Sequence, residues 1–365
     1  MKICCMIASL RLGGAERQLS GLALMLHAQG HEVEVLTYRE GSFYAKPLRE
    51  AGVKLTVIPH PGNEKRLVED ISAHLRETGC QILISYLVGT NLKACFIRQR
   101  CPGLKLVVSE RNCNTDKWLY TTLRLKLYKM ADAVVCNSYA QEALVRKRCP
   151  ALDSRLTTIP NFVDAERFTP SGRTPGADGR INVVTTARLY DRKNALGLIK
   201  AVSEAACDNL YFDWYGALSN DKYYGRCQNL IRKLGLQDRI HIHPGCENVE
   251  ELYAKADAFC LPSFYEGTSN ALAEALACGL PAVCSDVSDN SRYIFPGENG
   301  LLFDPCDTGD FADALRTLAA TSSEELAKWG RRSREIAEEK LTKKVFIKRY
   351  IELLEGLSGG KNGGC

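Results

Sequence analysis

The chain lacks any apolar run that approaches the roughly 20 residues a membrane-spanning helix needs. It contains no CxxC pair and no HExxH, so a zinc site has no support from the sequence. The GxGxxG motif, on which binding of a nicotinamide cofactor would rest, is also missing. The net charge of +5 is too small to indicate nucleic acid, although it suits anionic ligands or an anionic membrane surface.

The 16 cysteines are scattered, and many lie inside apolar runs, where a free thiol behaves as a small buried hydrophobe. We therefore predict free thiols in a reducing, cytoplasmic environment. Residues 1–8 are apolar but short and lead directly towards Gly13-Gly14, so we expect a first strand there and not a signal peptide.

With 365 residues the chain is too long for one ordinary core, which indicates two domains. Apolar strand runs and helical periodicity alternate with short gaps, which predicts two doubly wound, Rossmann-like α/β domains. We place the first domain at 1–163, a linker rich in Pro and Gly at 164–180, and the second domain at 181–344. Residues 358–365 are predicted to be a disordered tail. Loops at the carboxyl ends of the strands would bind a ligand in the cleft between the domains.

The stretch from Ser263 to Leu276 follows an apolar strand and leads into a helix. Glu266 lies in the loop before that helix, and Glu274 lies about two turns into it. Carboxylates accept hydrogen bonds from sugar hydroxyls, and a helix start, which Thr268 or Ser269 could cap, attracts phosphate. A ligand with both groups would be a nucleotide sugar. The alternative makes both glutamates ordinary surface residues, but Glu274 interrupts an apolar face, where a carboxylate needs a partner.

A basic turn follows the strand predicted at 181–186. Arg188 and Lys193 would both emerge near the carboxyl end of this strand, where a pair of cations could neutralise a diphosphate leaving group. The alternative is a solvated basic turn without a ligand.

Two glycines, Gly13 and Gly14, occupy the first turn from strand to helix. Glycine lets the backbone come close to a ligand, and the helix start favours an anion. A tight turn without any ligand would use the same residues.

Polar residues at 109–114 follow the predicted strand 105–109, a position that fits a ligand-binding loop. The alternative is a polar turn with an internal Glu–Arg pair. Residues 117–129 mix cations with Trp, Tyr and Leu, a composition that suits a membrane interface or a lipid-bearing acceptor. An amphipathic helix packed on its own domain would have the same composition.

Four features together resemble the family-4 retaining glycosyltransferases, which have the GT-B fold. They are the pair Glu266 and Glu274, the cations Arg188 and Lys193, the Gly13-Gly14 turn and the junction 159–161. The resemblance runs over roughly residues 1–355. Within the family, the chain is similar to members that build bacterial polysaccharides, lipopolysaccharides and lipid-linked glycans. It implies a last helix, at about 345–357, that returns to the first domain.

The resemblance implies a role for each motif. Glu266 would hold hydroxyls of the donor sugar, Glu274 the ribose, and Arg188 and Lys193 the diphosphate. Further donor-binding residues implied by the resemblance are Gly267, Ser269, Asn270, Ala271, Leu272, Gly13, Gly14 and Gly245. Many relatives carry a histidine where Ser109-Glu110-Arg111 stands, so Glu110, Arg111 or Asn112 would take over that contact with the sugar or the acceptor.

The function implied is transfer of a hexose or N-acetylhexosamine, with retention, from a nucleotide sugar to a lipid-linked or saccharide acceptor. The donor would be a UDP-sugar, and no cofactor or metal would be needed. Nucleic acid is not expected as a partner. The enzyme would work in the cytoplasm, at the inner face of the cell membrane if the 117–129 helix contacts lipid. The alternatives are a sugar-nucleotide 2-epimerase of the same fold and a non-catalytic sugar-nucleotide-binding protein.

Overall fold

The computed structural model describes residues 1–60, 62–111, 118–216 and 221–359, and for Trp118, Leu119 and Asp221 only the backbone. The described residues form two compact units. The first contains residues 1–160 and the residues from Phe346 onward, and the second contains Asn161–Val345.

A parallel sheet forms the centre of each unit. The strands of the first unit are β1 (Lys2–Met6), β2 (Glu32–Thr37), β3 (Lys54–Val57), β4 (Ile82–Tyr86), β5 (Lys105–Glu110), β6 (Ala133–Cys136) and β7 (Leu156–Thr158). The strands of the second unit are β8 (Ile181–Thr186), β9 (Leu210–Tyr215), β10 (Ile240–His243), β11 (Ala258–Leu261), β12 (Ala282–Ser285) and β13 (Gly300–Phe303). The order is β3-β2-β1-β4-β5-β6-β7 in the first sheet and β10-β9-β8-β11-β12-β13 in the second.

Helices connect the strands. They are α1 (Gly14–Ala28), α2 (Ala45–Glu50), α3 (Glu64–Glu77), α4 (Val88–Arg100), α5 (Trp118–Leu127), α6 (Tyr139–Arg148), α7 (Ala195–Ala205), α8 (Asp221–Lys233), α9 (Val249–Lys255), α10 (Asn270–Ala277), α11 (Thr308–Ala320), α12 (Ser323–Lys340) and α13 (Lys343–Gly359). Short 3₁₀ turns cover Tyr128–Met130, Pro150–Arg155, Asp191–Lys193 and Asn290–Arg292.

Burial on both faces explains why the strands are apolar throughout. All residues of β4, β6, β11 and β12 are buried, as expected for parallel strands covered by helices on each side. Most helices are apolar on one side only, whereas α10 is buried all round from Leu272 to Ala277. In α3, for example, Leu67, Ile71 and Leu75 are buried at helical spacing, and the Asn63 side chain caps the first turn.

The predicted fold class, two doubly wound Rossmann-like α/β units, is confirmed. β13 was not predicted, because its sequence Gly-Leu-Leu-Phe is short and begins with a helix and strand breaker. The structure shows why glycine is used at this place: a Cβ on Gly300 would collide with the backbone of Ala282 on the neighbouring strand.

Two segments differ from the linker and the tail that we predicted. Residues 161–180 lie within the second unit, where Phe168 is 2% exposed and its ring contacts that of Tyr253. Arg334 donates hydrogen bonds to the carbonyl oxygens of Ala165 and Phe168, so the start of the predicted linker is packed on its unit, whereas most residues of 169–180 are exposed. α13 continues through Gly359, and the rest of the predicted tail lies outside the described residues.

The order of strands reverses beside β8, which lies between β9 and β11. In doubly wound sheets, ligands bind at the carboxyl ends of the strands at this point of reversal. We therefore expect the ligand site of the second unit at the loops that follow β8 and β11.

Candidate functional site

Three loops of the second unit follow β8, β11 and β12, which are neighbours in the sheet. Hydrogen bonds tie these loops together. The Phe264 N–H donates to the Arg192 carbonyl oxygen (3.0 Å), which joins the loop after β11 to the turn after β8. The Ser285 hydroxyl at the end of β12 donates to the Ser263 carbonyl oxygen (2.6 Å). The backbone of the site is thus held from both sides.

Glu266 and Lys193, 73 positions apart, meet between these loops. The Lys193 Nζ lies 2.5 Å from Glu266 Oε1, and the side chains are only 16% and 11% exposed. The Ser263 hydroxyl donates to the same oxygen (2.6 Å). Glu266 Oε2, by contrast, has no hydrogen-bond partner among the residues that the structure describes, so one oxygen of the carboxylate is occupied and the other is available.

The start of α10 adjoins Glu266 in the chain. Ser269, and not Thr268, caps this helix, with its hydroxyl accepting from the Leu272 N–H (3.3 Å). The Ala271 N–H has no hydrogen-bond partner within the described part of the chain. The Asn161 amide donates to the Thr268 carbonyl oxygen and to Asn270 Oδ1 (both 2.8 Å), which fixes the turn that leads into the helix.

Glu274 is 5% exposed and accepts a hydrogen bond from the Tyr253 hydroxyl at Oε2 (3.0 Å). The same hydroxyl lies 2.5 Å from Thr186 Oγ1 at the end of β8. Burial, and secondly the Glu274 carboxylate, raises the pKa of Tyr253 well above its ordinary value, so this tyrosine stays a neutral donor. The partner that a buried carboxylate requires is therefore Tyr253.

Arg188 follows β8 and is exposed, and it makes no hydrogen bond or ion pair with the residues described. The backbone beside it is nonetheless fixed. The Ala187 carbonyl oxygen accepts from the Trp214 indole N–H (2.8 Å), and a Cβ on Gly216 would collide with Ala187. A free guanidinium on a rigid backbone suits the binding of an anion.

Gly245 lies in an exposed loop, 244–248, that follows β10. Immediately before it, the His243 ring stacks on Tyr215 with the centroids 4.4 Å apart, and His243 Nε2 lies 2.6 Å from Asp213 Oδ1. The stack gives the loop a firm base at the ends of β9 and β10. Gly267, the remaining donor-binding prediction in this unit, is partly exposed between Glu266 and the start of α10.

In the first unit, Gly13 and Gly14 lie at the start of α1, beside the point where the sheet order reverses. Gly13 is the N-cap residue with an extended backbone, and its carbonyl oxygen accepts from the Tyr44 hydroxyl (3.4 Å). The atoms nearest to a Cβ at Gly13 would be those of the Glu16 carboxylate, the far end of a flexible side chain that folds back against this residue and could move aside.

Glu110 is 1% exposed, and its carboxylate accepts from the guanidinium of the equally buried Arg124 and from the Gln141 amide. Burial opposes the charge of Arg124, but Glu110 outweighs this effect and raises the pKa of Arg124. The structure thus favours the structural alternative for Glu110, although its partner is Arg124 and not the adjacent Arg111. A carboxylate that is 1% exposed and bound to a buried cation is poorly placed to contact a substrate.

Arg111 is partly exposed, lies with its guanidinium 4.5 Å from the centre of the Tyr86 ring and donates to Ser109 Oγ (3.3 Å). The Tyr86 hydroxyl lies 2.8 Å from that of Tyr350 on α13. Asn112, the third residue predicted here, lies outside the described residues.

The 117–129 segment forms α5 and the turn after it, with Lys117 outside the described residues. Its Thr121, Arg124 and Leu125 are buried, as expected for a helix that packs on its own unit. The opposite side carries Tyr120 (48% exposed) and Leu123 (61% exposed), with Lys126 also exposed. Among the helices that the structure describes, none combines the length and apolar character required to cross a bilayer.

Several residues of the site were not singled out in the sequence. Ser263 opens the motif that holds Glu266, so its position gave a signal that could have been used. Tyr253 gave none, because it reaches Glu274 across 21 residues. Asn161 was recognised only as part of the junction 159–161, and its contact with Asn270, 109 positions away, was not predicted. Contacts of that range depend on the packing of the unit.

Two family models match the chain. The model described as "Glycosyltransferase Family 4" matches residues 12–167, and the one described as "Glycosyl transferases group 1" matches residues 173–336. The solved structure of Anabaena Alr3699/HepE in complex with UDP and glucose is similar, with a TM-score of 0.85 and 19% identity over 98% of this chain and 100% of that one. The fold is that of the GT-B glycosyltransferases. The two models together extend over nearly the whole chain, and the chain belongs to glycosyltransferase family 4.

The matches to curated relatives cover less of this chain than the match to the Anabaena structure does. A D-inositol 3-phosphate glycosyltransferase of Arthrobacter sp. (strain FB24) is 30% identical over 53% of this chain, and the match spans about half, 49%, of that relative. A Campylobacter jejuni enzyme is 24% identical over 84% of this chain and 85% of its own length. Its name describes an α-1,4-N-acetyl-D-galactosaminyltransferase that acts on a glycan attached through diphosphate to undecaprenol.

Proposed function

We propose that the protein transfers a hexose or N-acetylhexosamine from a UDP-sugar to a lipid-linked or polysaccharide acceptor and retains the anomeric configuration. The observation that carries this proposal is the pairing of Lys193 with Glu266 at the start of α10. It brings a cation, a sugar-binding carboxylate and a helix start into one place. The UDP bound in the Anabaena structure and the acceptor named for the Campylobacter relative support the choice of donor and acceptor.

The donor sugar would be bound by Glu266. Lys193 and Ser263 occupy Oε1 of its carboxylate, so Oε2 would accept hydrogen bonds from sugar hydroxyls. The ribose would lie near Glu274, whose orientation Tyr253 fixes. The base would bind beside the Gly245 loop.

The leaving diphosphate would be stabilised by three groups. Arg188 supplies a guanidinium that is unpaired among the described residues, Lys193 an ammonium, and the Ala271 N–H a donor at the positive end of the α10 dipole. The Leu272 N–H, which we also expected to bind the donor, is occupied by the cap of Ser269. Because these groups carry the charge of the leaving group, we propose that no divalent metal is needed.

Retention would follow from attack on the same face that the diphosphate leaves. The departing phosphate oxygen would accept the proton of the acceptor hydroxyl as the new glycosidic bond forms. Glu266, fixed by Lys193 and Ser263, serves as a hydrogen-bond acceptor for the sugar and not as a nucleophile.

The acceptor would be bound by the first unit, where the Gly13-Gly14 turn and Arg111 lie at the carboxyl ends of β1 and β5. The exposed Tyr120 and Leu123, with Lys126 beside them, support contact of α5 with a membrane surface. In this proposal the enzyme works at the inner face of the cell membrane.

The test is incubation of the protein with a panel of nucleotide sugars and a membrane lipid extract, with and without a chelator. We expect release of nucleoside diphosphate only with a UDP-sugar and acceptor present, unchanged by the chelator, and an α-linked product from an α-linked donor by NMR. Conversion of the donor without acceptor would instead indicate a 2-epimerase. Binding of donor without any release would indicate a non-catalytic binding protein.

A further inference from the structure

We infer that Ser288, in the loop after β12, is a positioning residue that holds Glu266 in the orientation needed to bind the donor sugar. The inference rests on the proposed function of Glu266. It assigns a role to a loop that neither the sequence motifs nor the proposed reaction uses.

One hydroxyl group of Ser288 engages both backbone groups of Glu266. Ser288 Oγ accepts from the Glu266 N–H (3.3 Å) and donates to the Glu266 carbonyl oxygen (2.5 Å). The Glu266 backbone is therefore held from the β12 side, while Lys193 and Ser263 hold its carboxylate at Oε1. With the backbone and Oε1 both fixed, Oε2 has one defined direction.

The backbone of Ser288 is itself unusual. Its φ of +54° lies in the left-handed region, where a residue with a Cβ is disfavoured and glycine is the ordinary choice. A non-glycine residue remains in such a conformation only where its surroundings hold it there, and such residues concentrate at functional sites. Here the side chain that glycine would lack is the one that binds Glu266.

The surroundings of Ser288 are rigid enough to transmit this restraint. The buried Asn290 amide donates to the Ser285 carbonyl oxygen (2.9 Å), and the Val287 N–H donates to the same oxygen (2.9 Å). The Ser285 hydroxyl in turn holds the Ser263 carbonyl oxygen. The loops after β11 and β12 thus form one connected network around Glu266.

The experiment compares the affinity for UDP with that for UDP-sugars in the wild type, Ser288→Ala and Ser288→Gly. UDP-glucose, UDP-galactose, UDP-GlcNAc and UDP-GalNAc would each be titrated by calorimetry. Glu266 binds the sugar and not the nucleotide in this proposal, so each variant should lose about tenfold in affinity for the preferred UDP-sugar and less than twofold for UDP. Ser288→Gly relieves the left-handed backbone, so its loss would come from the missing hydroxyl. Ser291→Ala, an exposed serine in the next turn, is the matched control.

The outcomes separate this inference from the proposed function. Full retention of the sugar preference in both variants would contradict the role of Ser288 but not the proposed donor. Equal losses for UDP and the UDP-sugar would also contradict it, because they would indicate a general structural role. A wild type that binds neither UDP nor any UDP-sugar would contradict the proposed donor itself.

Discussion

The Lys193 ammonium and the Glu266 carboxylate lie 2.5 Å apart at the carboxyl ends of β8 and β11. Each side chain is largely buried, so neither charge is well solvated on its own. The pair therefore orients both groups before a ligand arrives, and a ligand with hydroxyls and phosphates would meet two charges already in place.

Glu266→Gln should lower turnover by about 100-fold or more, because a neutral amide binds a sugar hydroxyl more weakly and leaves Lys193 without its counter-ion. The free energy of unfolding should fall by about 1–3 kcal/mol. Nucleoside diphosphate release and chemical denaturation measure the two effects. Glu339→Gln, which changes an exposed glutamate on α12 of the same unit, is the control and should behave as wild type. Wild-type turnover in folded Glu266→Gln would refute the assignment.

Much of the second unit could be predicted from sequence. β8 covers the strand predicted at 181–186, and β11 and α10 are the strand and the helix that flank the Ser263–Leu276 loop as predicted. Glu266 and Lys193 were recognised separately as loop residues after strands. Their contact could not be predicted, since it depends on β8 and β11 being neighbours, a property of the sheet order.

The first unit shows more clearly what could not be predicted from the sequence. Glu110 and Arg111 are adjacent in sequence, at the end of a strand, and both were equally plausible as ligand contacts. The structure separates them, because Glu110 is the last residue of β5 and successive side chains along an extended backbone point to opposite faces. Glu110 is buried with Arg124, whereas Arg111 lies partly exposed over Tyr86. Tertiary packing alone decides which face at the end of β5 is covered by α5.

Arg188→Ala should reduce turnover by about 100-fold while leaving stability within about 0.5 kcal/mol of wild type. The reason is that Arg188 is exposed and unpaired within the described residues, so its removal costs the fold no contact. Lys200→Ala, which removes an exposed cation from α7, is the matched control for charge. Unchanged kcat/KM in Arg188→Ala would contradict the assignment of Arg188 to the diphosphate site.

Tyr253→Phe should weaken binding of UDP by about tenfold, because Glu274 loses the hydroxyl that orients it. Thr186 loses the same partner, so the free energy of unfolding should also fall by about 1–3 kcal/mol. Calorimetric titration and urea denaturation measure these changes. Tyr211→Phe, which removes a hydroxyl elsewhere in the sheet, should change neither. Normal UDP affinity in Tyr253→Phe would show that Glu274 needs no such support.

Glu110→Leu should destabilise the protein by about 3–5 kcal/mol, because it leaves Arg124 buried and uncompensated. The double variant Glu110→Leu with Arg124→Met should recover much of this loss, since it removes both charges together. Urea denaturation of the two single variants and the double variant measures the coupling. UDP affinity should not change in any of them. A stable Glu110→Leu variant that binds donor but transfers no sugar would instead indicate that Glu110 contacts the acceptor.

Alkaline pH should weaken the fold through its buried thiols. Burial raises the pKa of five cysteines from an ordinary 9.0 to about 12: Cys5, Cys80, Cys95, Cys227 and Cys278. Above pH 9 the unfolded chain loses these protons while the folded chain keeps them, so the free energy of unfolding falls as the pH rises towards 12, by about 1.4 kcal/mol per pH unit for each fully ionised thiol. Urea midpoints from pH 7.5 to 10.5 should therefore be constant at first and then decline, with a shallower decline in Cys5→Ala. A midpoint that stays constant to pH 10.5 would show that these thiols ionise in the folded protein.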